Sequence, residues 1–171
     1  MEIEDSGPDE LPEVDAHEIS NDDLLDVPVD LAQMEAVKAS LDLISLQRYF
    51  LWADRMKRHA EESNTDHLEG YHPKVHAEPY RSYWYGGLYV VIEGWPKLGR
   101  SDPTIDGLLI DERHVGLLRR YRNGAFHYQT DYFDDRFFEL WADKEAIPWI
   151  RRVHEAFRTW LRSHPETKDT P

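Results

Sequence analysis

The sequence predicts an all-α protein, a four- to five-helix bundle over residues 28–164, preceded by a disordered acidic tail at 1–27 and followed by a frayed tail at 165–171. Three observations predict it. Apolar residues recur at spacings of three and four near residues 34–56, 114–127 and 149–161, the period of a helix with one buried face. The segment 78–95 is apolar almost all round and too long for an ordinary strand. Hydrophobic residues make up 40% of the 171, with six Trp and nine Tyr, enough to fill one sizeable core.

Each element has its own signal. Residues 1–27 combine Pro8, Pro12, high charge and no aromatic side chain, the composition of a chain that buries too little apolar surface to fold. Asp30 is placed to cap a long helix in which Met34, Val37, Leu41, Ile44, Leu51 and Met56 hold a 3.6-residue period, and that stripe is expected to be the core face. Residues 61–66 close it, and a loop is expected through Pro79. His67, His72 and His76 lie there at spacings of five and four. A zinc site would need firm register and carboxylate partners, so these histidines read as solvent-exposed and no metal is expected.

Residues 78–95 carry Tyr80, Tyr83, Trp84, Tyr85, Leu88, Tyr89, Val91 and Ile92, and form either the central helix or half of a subunit interface. Gly86, Gly87 and the Val-Val-Ile run would suit a strand, but the length and the helical neighbours favour helix. A turn follows at 96–103, and Asp102 or Thr104 caps a short lead-in helix, 105–110. On the next helix, 114–127, Val115, Leu118, Tyr121 and Ala125 share one side, widened by Leu109 and Leu117. Residues 128–138 read as an irregular flap packed through Phe133, Phe137 and Phe138. In the last helix Trp149, Ile150, Val153, Phe157, Trp160 and Leu161 repeat at three and four, with Pro148 tolerable in the first turn.

Composition narrows the function. There is no cysteine, which excludes disulfides, thiolate metal sites and a cysteine nucleophile, and fits a cytoplasmic protein. No apolar run approaches a membrane span. The net charge of −14 is uneven: residues 1–26 hold 11 of the 34 acidic residues and no Lys or Arg, so the other 145 carry 23 acidic against 20 basic, a net of −3. A non-specific nucleic-acid coat would be basic overall, so only a local basic patch is left open.

Such a patch ends the 114–127 helix, where Arg119, Arg120, Arg122, Asn123 and His127 fall outside the apolar stripe. Asn123 and His127, four apart, would be neighbours on a helix, while Arg122 lies roughly 140° from His127 and reaches that edge through its length. Attack of a ribose 2′-OH on the adjacent phosphate needs proton transfer and positive charge on the phosphate oxygens. Histidine suits the first and a planar arginine the second. The bare pair is common: 14 arginines and nine histidines place about 0.7 such pairs at any one spacing by chance. Arg158 and His164 form one, but in the last turns before Pro165, whereas Arg122 and His127 enclose Gly124 and Ala125 near the end of a long amphipathic segment.

Arg122-Asn123-Gly124-Ala125-Phe126-His127 resembles the Arg-x(4 to 6)-His motif of the HEPN superfamily, and the helix layout over about 30–163 is similar in architecture. The resemblance implies metal-independent, cofactor-free RNA cleavage by a homodimer whose two motifs face one cleft. It implies a toxin or phage-defence role, cutting tRNA or mRNA unless an antitoxin or inhibitory partner restrains it. In that reading Arg122 holds the scissile phosphate, His127 transfers protons, and Asn123 orients the histidine or the phosphate by hydrogen bonding. Arg119, Arg120, Tyr128 and Gln129 would contact RNA, and Glu93 would be a buried carboxylate partner for an arginine of the motif helix. The acidic tail would compete with RNA for Arg119, Arg120 and Arg122. Two other readings stay open: a non-catalytic helical module binding RNA, a nucleotide or a protein partner, and an acidic interaction protein acting through its tail.

Overall fold

The computed structural model describes residues 30–63, 73–131 and 134–165, and within them it is helical with no strand. Six α-helices and one 3-10 turn stand where four or five helices were expected: α1 (Leu31–Ser63), α2 (Pro73–Gly94), the 3-10 turn (Trp95–Leu98), α3 (Pro103–Leu109), α4 (Glu112–Phe126), α5 (Asp135–Ala142) and α6 (Ala146–Ser163). The tails at 1–27 and 166–171, His67, His72, Tyr132 and Phe133 lie outside the described residues.

Local chemistry sets the boundaries. The Asp30 carboxylate accepts from the Ala32 and Gln33 amides and starts α1. Asp102 does the same for α3 at Thr104 and Ile105, with Pro103 at the first helical position. Asp111 caps α4 through the His114 amide. Asp134 caps α5 through the Arg136 amide, so the expected flap contains a short helix after all. α2 begins at Pro73, so the part of the expected loop from Pro73 to Pro79 is helix, with Pro79 inside it.

The expected core face of α1 is wrong. Met34, Val37, Leu41, Ile44 and Leu51 are exposed, and α1 buries Leu43, Leu46, Phe50, Ala53 and Ala60 instead. Met56 alone of the expected stripe packs against the core. The two stripes lie on opposite sides of the helix, and the inner one meets Trp84, Leu88 and Val91 of α2, and Ile150, Val153 and Phe157 of α6, in one core cluster. Gly87 permits the α1–α2 approach: a Cβ there would sit 3.2 Å from that of Ala53.

At the centre lies a histidine that periodicity passed over. His154 of α6 is 0% exposed. Its Nδ1 accepts from Trp84 Nε1 of α2 at 3.0 Å, so its Nε2 carries the proton and donates to Asp54 Oδ1 of α1, also at 3.0 Å. Arg158 Nη2 reaches the same oxygen at 2.5 Å. Burial holds the His154 pKa below its ordinary 6.5, against the pull of Asp54. Burial would raise the Asp54 carboxyl, but hydrogen bonds from Arg158 and His154 outweigh it and leave the pKa lowered. His154 is thus neutral when folded and takes a proton more readily unfolded. Its contribution is intact above about pH 6.5 and is lost as pH falls from there towards the lower folded value.

Acidification from about pH 7 to pH 5 should therefore lower the thermal midpoint of the wild type more steeply than that of His154→Gln, whose amide can make both hydrogen bonds without titrating. His154→Ala, which orphans Trp84 Nε1 and one Asp54 contact, should cost on the order of 3 kcal/mol in urea unfolding.

Candidate functional site

The motif residues stand where α4 runs out. His127 is the residue after the helix, with extended dihedrals (φ −122°, ψ 134°), so its helical four-residue relation to Asn123 is broken. The turn beyond is braced. Gln129 Nε2 donates to the His127 carbonyl at 2.5 Å, Arg136 donates to the Gln129 amide oxygen, and Arg136 is itself anchored on Asp134. The Gln129 side chain is therefore engaged in shaping this turn. Tyr128 beside it is 93% exposed.

Arg122 is partly buried and three groups hold it. Its Nη1 donates to Asn123 Oδ1 at 3.0 Å, its Nη2 lies 3.8 Å from Glu93 Oε2, and its guanidinium sits 5.7 Å from the centre of the Tyr89 ring. Glu93 pairs with this arginine but is exposed where a buried carboxylate was expected, and Asn123 orients the arginine, not the histidine. With both partners of the ion pair substantially exposed, that pair is worth about 0–1 kcal/mol. A phosphate can displace it, because a bidentate charge-assisted contact is stronger. Burial, then Glu93, raises the Tyr89 hydroxyl's pKa, so the ring stays neutral beneath the cation. Arg119 and Arg120 are exposed one turn earlier, Arg120 against Glu139 at 3.0 Å.

Arg122 and His127 line one hollow of about 590 Å³ between α1, α2 and α4. Its floor is small, Ala53, Gly86 and Gly87, and its rim is aromatic, Tyr49, Trp52, Tyr83 and Phe126. Those four rings are 36–58% exposed, an unusual density of open aromatic surface. Tyr49 and Trp52 meet edge to face at 5.4 Å, with the Arg48 guanidinium 5.7 and 5.8 Å from their centres. Tyr83 meets Phe126 in the same way at 5.3 Å. Arg158 and His164, the other pair at this spacing, are engaged elsewhere: Arg158 is bound to Asp54, and His164 stacks on Trp160.

Phe126 and His127 also wall a second hollow of about 530 Å³, which adds Glu78, Ser82 and Phe137. There the buried Tyr121 hydroxyl donates to Glu78 Oε1 at 2.7 Å and lies 3.0 Å from Ser82 Oγ. Burial and then the Glu78 charge push the Tyr121 pKa far up, so it stays a neutral donor. Sequence reasoning missed Glu78 and Ser82. Their only signal was a carboxylate and a hydroxyl four apart on one face of α2.

Gly86 makes this arrangement possible, since a Cβ there would lie 2.1 Å from the Phe126 ring. Gly86→Ala should cost about 1–3 kcal/mol of overpacking, less the gain in helix propensity. In a Phe126→Ala background the same change should be neutral or stabilising, and a urea double-mutant cycle measures the difference.

No group of histidines and carboxylates able to hold a metal occurs among the described residues. No family model, curated protein or solved structure matches the chain, so the chemistry of the site rests on its own geometry.

Proposed function

We propose that the chain is a metal-independent endoribonuclease acting on unpaired RNA. One observation carries the reading: a guanidinium and an imidazole line the same hollow, and aromatic rings form its rim. Arg122 would hold the scissile phosphate in place of Glu93, withdrawing negative charge as the 2′-oxygen attacks. His127 would accept the 2′-OH proton or protonate the leaving 5′-oxygen. The products are a 2′,3′-cyclic phosphate and a free 5′-hydroxyl. Asn123 fixes the arginine, and Arg119 and Arg120 extend the positive edge along the backbone. Bases splayed from a single strand have faces that stack on Tyr49, Trp52 or Tyr83, whereas paired bases do not. The resemblance to HEPN proteins adds a homodimer, tRNA or mRNA as substrate, and a toxin or phage-defence role under the control of an antitoxin or inhibitory partner.

A second reading, a helical module that binds RNA or a nucleotide without cutting it, is favoured by the freedom of His127. Among the described residues no side chain hydrogen-bonds its ring, so nothing there selects the tautomer.

Purified protein should cleave total RNA in the presence of EDTA, leaving cyclic phosphate ends on mapping. His127→Ala and Arg122→Ala should each lower the rate by about 10²–10⁴ while keeping the wild-type circular dichroism. Expression should arrest growth in the wild type only. Metal-dependent cleavage, or cleavage unchanged by both substitutions, would remove the nuclease; binding without cleavage selects the second reading.

A further inference from the structure

Among the described residues, none covers the outer face of α1. Every residue from Leu31 to Ala39 is exposed, so α1 leaves the bundle as an arm of helix. Helices in water owe most of their stability to packing, and an isolated arm has none. Along that outer face exposed residues alternate at spacings of three and four: Met34, Leu41 and Arg48 occupy one heptad position, and Val37, Ile44 and Leu51 the other. Five apolar residues so spaced, on a face the core does not use, fit the seam of a coiled coil. From Leu43 onward the inner face of the same helix is already buried in the bundle. The seam therefore points away from it.

We infer that this seam pairs with the α1 of a second copy, running antiparallel. Self-complementarity of charge selects both occupant and direction. With the two helices antiparallel about a point between Leu41 and Ile44, the layers are Leu41 with Ile44, Val37 with Arg48 and Met34 with Leu51, each occurring twice. One layer further out, Asp30 at the start of one helix meets Arg55 of the other, both exposed. In a parallel pair Arg48 would face Arg48 and Arg55 would face Arg55, two like-charge layers in the seam. The flanking positions, Gln33, Ser40 and Gln47 on one side and Lys38, Ser45 and Trp52 on the other, bring no opposing like charges together in the antiparallel register. Such an interface is isologous and closes at two copies. The arm of each copy then lies along the back of the other's bundle and passes Trp52, which also walls the Arg122–His127 hollow.

Sedimentation of the full chain over a wide concentration range should give a dimer. Leu41→Asp, which buries an unpaired carboxylate in the seam of each copy, should raise the dissociation constant a hundredfold or more. Since Leu41 is 57% exposed in the single copy, that variant keeps its fold, as circular dichroism would verify. Because the chain has no cysteine, direction can be read by disulfide trapping. Met34→Cys protein mixed with Leu51→Cys protein should cross-link on mild oxidation, and neither should do so alone. A monomeric wild type, a dimer indifferent to Leu41→Asp, or cross-linking of Met34→Cys with itself in preference to the mixture would overturn the inference. None of these outcomes bears on the Arg122 and His127 substitutions, so the interface and the nuclease can fail separately.

Discussion

One imidazole ties the bundle together. His154, on α6, takes a hydrogen from Trp84 of α2 and gives one to Asp54 of α1, while Arg158 neutralises the carboxylate it leans on. Buried polar groups are costly unless satisfied, and here each ring nitrogen has its partner. Its directionality fixes the rotation of α1 and α2 about their axes, which hydrophobic contact alone leaves loose. The hollow that holds Arg122 and His127 inherits that rotation: Trp52 lies two residues before Asp54, and Tyr83 immediately precedes Trp84. Which aromatics ring the site is therefore decided by a contact inside the core.

The small residues complete the arrangement. Gly87 lets α1 approach α2, and Gly86 leaves room for the Phe126 ring, so the end of α4 can settle beside both. The site is built from three elements, and its two polar anchors sit on the same short stretch of chain. That economy explains why a six-residue motif could be seen at all.

The legible and illegible parts of the sequence divide along physical lines. Helical period was visible in α1, α4 and α6, because burial of one face imposes it, whereas α2, apolar almost all round, was read as helix from its length. The orientation of α1 was not, because that helix carries two apolar stripes, one serving the core through Leu43, Leu46 and Phe50 and one of Met34, Val37, Leu41 and Ile44 turned outward. Period alone cannot rank two stripes. His154 was hidden for a different reason: it occupies a core position among Ile150, Val153 and Phe157, where a polar residue reads as an interruption until its partners are placed. α5 was read as part of an irregular flap, since eight residues are too few for periodicity to show. Of the motif, Arg122 met the expected partner Glu93, at an exposed and not a buried position, and Asn123 turned from the histidine to the arginine.

The departure of His127 from the helical ladder has a separate implication for how such a chain can change. Arg122 is positioned by regular helix and is as rigid as the bundle. The imidazole is carried instead by a short strap, pinned through Gln129, Arg136 and Asp134. Lengthening or shortening that strap would re-aim one half of the pair while the scaffold and the other half stood still. Divergence towards a different reach is thus open through insertions in a single surface turn, at almost no thermodynamic penalty to the fold.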